Sequence, residues 1–247
     1  MYFSKHYTTM WHDTDACHIV RPSRLLEYMQ ETGHLQCLSV GLDLNDLHDR
    51  RGISFILSRL QLSFFKPVYN FDTIEVRTWC SPLKGWKMMR YFQILRDGEA
   101  VAEAASEWAL VDVIHHTLIR PSTLEAEILD QFPIDEPIPN ERFPHRVRIP
   151  APLEMETIGE RTIRYSDLDF NRHMNNTRYP DMLCDFLPDT ADGKRVIAMS
   201  LSYVKEAALG DTVTVHRTLA PDTANTYLIR TTRPDGQVCL DASVTVE

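Results

Sequence analysis

The sequence has few of the features that mark secreted, membrane-spanning or metal-binding proteins. Its 247 residues include only five cysteines, with no Cys-x-x-Cys spacing, so neither a disulfide framework nor a zinc site is indicated. It contains no apolar run of membrane-spanning length, no apolar signal segment at the N-terminus and no phosphate-binding loop. The net charge of -9 disfavours general nucleic-acid binding. These absences predict a cytoplasmic protein with reduced thiols, without metal, organic cofactor, nucleic-acid partner or membrane insertion.

The chain carries an internal duplication. Leu60–Pro67 aligns with Met199–Glu206 at a constant offset of 139 residues. A period of this length is typical of two copies of one domain and is too long for a solenoid repeat. Seven of the fourteen prolines lie between residues 121 and 152, which indicates a linker. We therefore predict an N-terminal domain over 1–120, a proline-rich linker over 121–156 and a C-terminal domain over 157–247.

Both copies show the same order of predicted elements. Pro22 suits the first turn of a helix, and the apolar spacing stays helical up to Gly41. Strands are predicted at Ile53–Phe65, Thr73–Cys80, Lys87–Arg96 and Ala100–Ile114, after an opening strand at Tyr2–Thr9. The linker and second copy are predicted to hold a short helix at Leu124–Phe132, a strand at Thr162–Tyr165, a helix at Thr177–Phe186 and strands at Val196–Lys205, Thr212–Leu219, Thr226–Thr232 and Val238–Val246. One helix on an antiparallel sheet, present twice, predicts the α+β class, and the two sheets could join so that the chain mimics a dimer.

A polar set of four residues is complete only in the second copy. Asp169, Asn171 and His173 stand at alternate positions, and Glu206 follows 33 residues after His173. These groups together could polarise a carbonyl and activate a water, although Asp and Asn are also common in turns and helix caps. Pro67 stands in the first copy where Glu206 stands in the second. The pattern therefore predicts that the C-terminal copy carries the chemistry.

The segment that holds this set resembles the signature of acyl-acyl-carrier-protein thioesterases, the chain-terminating enzymes of fatty-acid biosynthesis. Its residues are Asp167-Leu168-Asp169-Phe170-Asn171-Arg172-His173-Met174-Asn175-Asn176-Thr177-Arg178-Tyr179. The resemblance covers essentially the whole chain and implies tandem hotdog domains, each an antiparallel sheet wrapped on a central helix, forming a pseudo-dimer. It implies hydrolysis of long-chain acyl-acyl-carrier protein, with the carrier protein as partner and an acyl pocket in the first copy.

The same resemblance implies catalytic roles for Asp169, Asn171, His173 and Glu206. The family often has a cysteine directly after the glutamate, whereas Ala207 stands here, which favours direct attack by water over a thiol nucleophile. Asp15 lies in a turn similar to that of single-hotdog acyl-CoA thioesterases, and we interpret it as a relic that caps the long helix or braces its loop. Candidate residues for the acyl tunnel are Leu25, Met29, Cys37, Ile53, Phe55, Ile56 and Leu57.

Several points stay open at the level of the sequence. Backbone N–H groups at the start of the helix near Thr177 could stabilise an oxyanion together with Asn171 or His173. Partial burial should make the catalytic carboxylate a stronger base; we prefer Glu206 as the base with Asp169 in an orienting role, and the reverse is nearly as plausible. Alternative functions are an acyl-CoA thioesterase, an enoyl-thioester hydratase and a non-catalytic acyl-binding module. One chain should suffice as the functional unit, with a homodimer also possible.

Overall fold

The computed structural model describes residues 2–81, 85–124, 147–149, 153–188, 190 and 193–247. Within these ranges the helices are α1 (Pro22–Ser39), α2 (Leu44–Arg51) and α3 (Arg178–Asp185). The strands are β1 (Phe3–Thr8), β2 (Ile53–Phe64), β3 (Thr73–Cys80), β4 (Lys87–Arg96), β5 (Glu99–Asp112), β6 (Thr117–Ile119), β7 (Glu156–Thr162), β8 (Val196–Tyr203), β9 (Thr212–Leu219), β10 (Thr226–Thr232) and β11 (Val238–Val246). Most of the predicted linker, including its short helix at Leu124–Phe132, lies outside the described residues.

All of these strands belong to one antiparallel sheet. Its order is β1-β3-β4-β5-β2-β8-β11-β10-β9-β7, and β6 pairs with β5. The halves join where β2 pairs with β8, with Leu60 opposite Leu201 and Leu62 opposite Met199. Each pair is the image of the other at the 139-residue offset, so the contact is self-complementary like a two-fold dimer interface. The predicted α+β class, with two hotdog units in a pseudo-dimer, is confirmed.

The apolar side chains form two main clusters that differ in extent. The larger cluster spans both halves of the sheet and includes Met29 from α1, Met182 from α3 and Leu62 beside the junction of the halves, all fully buried. The smaller cluster belongs to the first half and is centred on Cys37, Leu42, Leu47, Cys80, Met88, Leu110 and Leu124. Burial of apolar surface thus fuses the two copies into one body, while the first copy keeps a separate apolar compartment.

The structure corrects three predicted details. The strand expected at Thr162–Tyr165 lies earlier, at β7, because Tyr165–Asp167 forms a 3-10 turn in which the Asp167 carboxylate accepts the Arg164 N–H at 2.9 Å. Helix α2 was not predicted, although its sequence carries signals at both ends. Asp43 Oδ1 accepts the N–H of Asn45 at 2.8 Å, and Gly52 ends the helix with φ of 63°. The three-residue strand β6 was also missed, because so short a segment shows no alternation.

No helix in the described part of the chain is both long enough and apolar enough to cross a membrane.

Candidate active site

The polar motif forms a closed loop between the 3-10 turn and α3. At its base, Leu168 bridges Met174, and the Asn175 N–H donates to the Asp167 carbonyl at 2.8 Å. The buried Asp167 carboxylate also accepts a hydrogen bond from Arg161 Nη2 at 2.6 Å. The loop is therefore fixed at both ends before any catalytic side chain is considered.

Asp169 braces this loop from inside. Its Oδ1 accepts the backbone N–H of Asn171 at 2.9 Å and that of His173 at 3.3 Å. Between them Arg172 has φ of 65°, a left-handed conformation that a non-glycine residue adopts rarely. The carboxylate thus sets the backbone at the two residues expected to contact a substrate carbonyl.

The segment after β8 lies directly beside the loop. His173 bridges Ala208, and the Met174 N–H donates to the Ala207 carbonyl at 2.8 Å. Glu206 immediately precedes this contact, so all four predicted residues belong to one neighbourhood of the fold. Glu206 is exposed, however, and the partial burial expected of a catalytic carboxylate is found at Asp169 instead. The reason is local: Glu206 stands in the segment that follows the C-terminal end of β8, where Val204 is also exposed.

Tyr179 is a neighbour of this set to which the sequence analysis gave no role. Burial raises the pKa of its phenol, and the nearby Cys239, Glu206 and Asp169 groups raise it further. The phenol therefore stays protonated and lies within electrostatic range of both carboxylates. Its ring makes an edge contact with Tyr203, with 5.3 Å between the ring centroids, and the Tyr203 hydroxyl donates to the Asn176 carbonyl at 3.2 Å.

The expected backbone donors at the start of α3 are largely occupied. The Thr177 N–H donates to Asn175 Oδ1 at 3.0 Å, and the Arg178 N–H donates to the Asn175 carbonyl at 2.9 Å. Pro180 has no N–H to offer. Asn175 thus occupies the N–H groups of Thr177 and Arg178, and side chains such as Asn171 and His173 become more important candidate donors to an oxyanion. The expectation of backbone donors therefore does not hold for Thr177 and Arg178, and for the rest of the helix start it stays a prediction.

A cavity of about 560 Å³ connects the loop with the interior of the first copy. Asp169, Asn171 and Thr177 line one end. The remaining walls come from α1, the turn after it, α2 and strands β2 to β5. Their apolar and cysteine residues are Cys37, Leu42, Leu44, Leu47, Ile53, Phe55, Cys80, Met88, Phe92 and Trp108, and their polar residues include Glu27, Gln30, Glu31, His34, Asn45, Ser54 and Arg90. His173 and Glu206 are not part of this lining; they stand on the side of the loop that faces the turn after β8.

The tunnel residues suggested by the sequence divide into two groups. Cys37, Ile53 and Phe55 do line the cavity. Leu25, Met29 and Leu57 do not line it and are packed in the main core instead. Ile56 belongs to neither the cavity lining nor the core, and 50% of its surface is exposed. Arg90 is a lining residue that was missed, although a signal exists: on β4 it alternates with Met88 and Phe92, so it occupies an inward-facing position.

The first copy repeats the geometry of the loop with different side chains. Asp15 Oδ1 accepts the N–H of Cys17 at 2.8 Å and that of Ile19 at 3.1 Å, and His18 has φ of 64°. His18 therefore matches Arg172, and Ile19 occupies the place of His173. Asp15 braces its loop, one of the two structural roles expected of it.

Two family models together cover almost the whole chain. The model of the acyl-ACP thioesterase N-terminal domain matches residues 1–132, and that of the C-terminal domain matches residues 151–245. The chain belongs to the acyl-ACP thioesterase family. This finding confirms the resemblance drawn from the motif and the duplicated architecture.

Curated relatives of this acyl-ACP thioesterase family member include chloroplastic plant proteins. A chloroplastic acyl-[acyl-carrier-protein] hydrolase of Cuphea viscosissima is 28% identical over 193 residues, which are 74% of this chain and 46% of that protein. A chloroplastic palmitoyl-acyl carrier protein thioesterase of Gossypium hirsutum is 22% identical over 83% of this chain and 52% of its own length. The chain thus spans about half the length of the curated relatives it matches.

Solved structures share the complete fold. An acyl-ACP thioesterase from Bacteroides thetaiotaomicron superposes with a TM-score of 0.87 at 20% identity, covering 100% of this chain and 98% of that one. The 12:0-ACP thioesterase from Umbellularia californica gives a TM-score of 0.85 at 17% identity, covering 100% and 97%. At these identities the match establishes the tandem hotdog architecture.

Proposed function

We propose that this protein hydrolyses the thioester of long-chain acyl-acyl-carrier protein, releases free fatty acid and so ends chain elongation. The observation that carries the proposal is the cavity that starts in the first copy and ends at Asp169 and Asn171. Apolar side chains of the first copy, such as Leu42, Phe55 and Met88, share the lining with polar residues of α1 and with Asp169 and Asn171 at the loop. This combination suits a substrate with an alkyl chain and one reactive carbonyl. Family membership and the hydrolase relatives support the same reaction.

The proposed mechanism uses water as the nucleophile. Glu206, exposed to solvent beside the loop, takes a proton from the water as its oxygen attacks the thioester carbon. The Asn171 amide and His173 donate hydrogen bonds to the oxygen that becomes negative, a contribution of roughly 3–4 kcal/mol for one good donor. The tetrahedral intermediate collapses with loss of the C–S bond, the thiolate leaves, and Glu206 gives the proton to the thiolate or to solvent. Ala207, next to the base, provides no thiol for a covalent route.

Asp169 has a positioning role in this scheme. Its hydrogen bonds to the backbone of Asn171 and His173 hold both donors at one spacing, which matches the orienting role preferred from the sequence. In the competing assignment Asp169 is the base and Glu206 has the orienting role. It is favoured by the position of Asp169, which is the one of the two carboxylates that lines the cavity.

The proposal extends to the setting of the reaction. The acyl carrier protein delivers the chain, and one polypeptide forms the functional unit, because β2 and β8 already make the junction between hotdog units. In a homodimer each chain would still hold its own functional unit, and the partner would not be needed for activity. The five free cysteines fit a reducing compartment such as the cytoplasm.

The decisive experiment measures free thiol and free fatty acid released from saturated acyl-carrier proteins and acyl-coenzyme A of matched lengths. Hydrolysis of the carrier-protein series by the parent, lost in Glu206→Gln, is expected. Equal rates on coenzyme A would make the protein a general acyl thioesterase. No release above the spontaneous rate from any substrate would refute the proposed reaction.

A further inference from the structure

A second cavity, of about 260 Å³, lies where the two copies join. Its lining includes Arg59 of β2, Trp86, Lys87 of β4, Glu107 of β5, Ser202 of β8 and Val204 just after that strand. Arg59 pairs with Ser202 across the junction, and their neighbours Leu60 and Leu201 are buried in the main core. Because side chains alternate along a strand, Arg59 and Ser202 lie on the opposite face of the sheet. We call this second cavity the outer pocket and the cavity that ends at the Asp169 loop the inner cavity.

The outer pocket adjoins the proposed reaction centre. Tyr203 lines it, and the Tyr203 hydroxyl donates at 3.2 Å to the carbonyl of Asn176, which lines the inner cavity. Val204 precedes Glu206 by two residues, so their Cα atoms are at most about 7 Å apart. A molecule that occupied both cavities would therefore pass the groups proposed to act on the thioester.

A free strand edge runs between the two cavities. β8 pairs with β2 only over Arg59–Ser63, so the first half of β2, Ile53–Ser58, has no strand on that side in the part of the chain that the structure describes. Three consecutive residues, Ile53, Ser54 and Phe55, line the inner cavity, although alternation would place only every second side chain on one face. The inner cavity thus reaches the free edge of β2 as well as its inner face. The same edge leads to Ser58, at the bulge of β2, in the outer pocket.

The outer pocket has an excess of positive charge. One carboxylate of its lining, Glu107, lies 2.8 Å from Lys87 Nζ and 3.7 Å from Arg59 Nη2, so two cations share one anion. At the rim the Arg120 guanidinium lies over the Trp86 ring, 4.9 Å from its centroid. Cations in such a cluster favour a phosphate group, to which they donate charge-assisted hydrogen bonds.

The outer pocket is also elongated, and it contains a buried hydroxyl. Neighbouring strands lie about 4.8 Å apart, so the row of side chains from Ser202 on β8 across β2 and β5 to Lys87 on β4 extends for about 14 Å. Ser202 is 7% exposed, and its hydroxyl has no hydrogen-bond partner among the residues that the structure describes. An unpaired buried polar group is unfavourable, so a ligand that brings a hydroxyl or an amide to this point is favoured.

These features suit a narrow ligand with a thioester at one end, amide and hydroxyl groups along its length and a phosphate at the other end. The 4′-phosphopantetheine arm has this order of groups, both in an acyl-carrier protein and in coenzyme A. Resting on the proposed function, we propose that the outer pocket binds the 4′-phosphopantetheine arm of the substrate, with the phosphate at Lys87 and Arg59 and the pantoyl group at Ser202. The acyl chain then enters the inner cavity past the free edge of β2.

The test compares four thioesters of one acyl chain that lose the arm step by step. Acyl-carrier protein and acyl-coenzyme A contain the whole arm, acyl-pantetheine lacks the phosphate, and acyl-N-acetylcysteamine lacks the phosphate and the pantoyl group. Lys87→Ala should raise KM about fivefold or more for the two substrates with a phosphate and leave the other two within about twofold. Ser202→Ala should raise KM for every substrate except acyl-N-acetylcysteamine. In each case kcat should stay close to the parent value, because the arm is distant from the reacting bond.

Lys66→Ala is the matched control for Lys87→Ala. Lys66 is similarly exposed (50% against 56%), is also paired with a glutamate, and lies outside both cavity linings. It should change KM for none of the four thioesters. If Lys87→Ala raised KM for the carrier-protein substrate alone, Lys87 would contact the carrier protein and not the phosphate, and the assignment would be wrong. An equal rise with acyl-N-acetylcysteamine would also overturn it, since the effect would then not depend on the arm.

A binding measurement separates this inference from the proposed reaction. Calorimetric titration with 4′-phosphopantetheine, and with pantetheine as the ligand without phosphate, reports the outer pocket in the absence of an acyl chain. If the parent bound 4′-phosphopantetheine more tightly than Lys87→Ala did but hydrolysed no thioester, the reaction would be refuted and the outer pocket upheld. If the parent hydrolysed acyl-carrier protein while Lys87→Ala and Ser202→Ala matched Lys66→Ala in KM and in binding, the outer pocket would be refuted and the reaction upheld.

Discussion

Replacing the loop aspartate of each copy with asparagine separates effects on activity from effects on stability, because the aspartate makes the same backbone hydrogen bonds in both copies. Asp169 and Asp15 each accept two backbone N–H groups through one oxygen, at 2.9 and 3.3 Å in the second copy and 2.8 and 3.1 Å in the first. Asp169→Asn and Asp15→Asn keep the accepting atom and remove the charge. Any difference in their effect on activity then reflects the chemistry of the second loop.

The structural cost should be similar in the two variants. A charge-assisted hydrogen bond is about twice as strong as a neutral one, so two weakened bonds near the surface amount to about 1 kcal/mol of unfolding free energy. The catalytic cost should differ sharply. We expect Asp169→Asn to lower kcat about a hundredfold, which corresponds to about 2.7 kcal/mol of barrier, since the weakened bonds would hold the two proposed oxyanion donors, Asn171 and His173, less firmly. Asp15→Asn should stay within twofold of the parent.

The assay pairs thiol release from an acyl-carrier protein with urea unfolding of each variant. Activity should fall only in Asp169→Asn while both midpoints shift by comparable amounts. If Asp15→Asn lost as much activity as Asp169→Asn, the first copy would hold a working site and the interpretation as a relic would be wrong. A near-parental Asp169→Asn would show that its carboxylate serves the loop alone.

Three further substitutions, Asn171→Ala, His173→Ala and Glu206→Gln, should each lower kcat by about a hundredfold or more. The unfolding free energy should change little, because these groups act on charge that develops in the transition state. Asp13→Ala should lower the unfolding free energy in urea by about 3–5 kcal/mol, since the buried carboxylate accepts hydrogen bonds from Tyr28 at 2.6 Å and Arg24 at 2.8 Å; a loss below 1 kcal/mol would contradict this. Met88→Trp should shift released fatty acids to shorter chains by roughly 1–3 kcal/mol of discrimination, whereas Ile56→Phe, exposed and outside the cavity lining, should leave the profile unchanged.

Much of the fold could be read from the sequence because its signals are local. β9, β10 and β11 have the bounds predicted from alternation and flanking turn residues, and α1 begins at the expected Pro22. Helix α2 was missed even though Asp43 and Gly52 mark its ends, since the pattern of one helix per copy hid it.

The site could be predicted in composition but not in arrangement. Alternate spacing brought Asp169, Asn171 and His173 together on one loop, and the duplication pointed to Glu206. Which of them line the cavity depends on how the loop meets α1 and α2, and contacts such as Glu27 with Arg178 or His48 with Phe170 join residues far apart in the chain.

The sequence by itself determined the duplication, the α+β class and the copy that carries the polar set, because repeats, periodicity and motif spacing are properties of the chain. Tertiary structure alone decided that Asn175 occupies the helix donors, that Glu206 is exposed, and that the cavity wall holds Arg90 in place of Leu25 and Met29. The physical reason is that hydrogen-bond satisfaction and burial are settled between segments distant in sequence. The alternation along a strand predicts on which face of the sheet a side chain lies. Which residues that side chain contacts depends on the helix packed against that face.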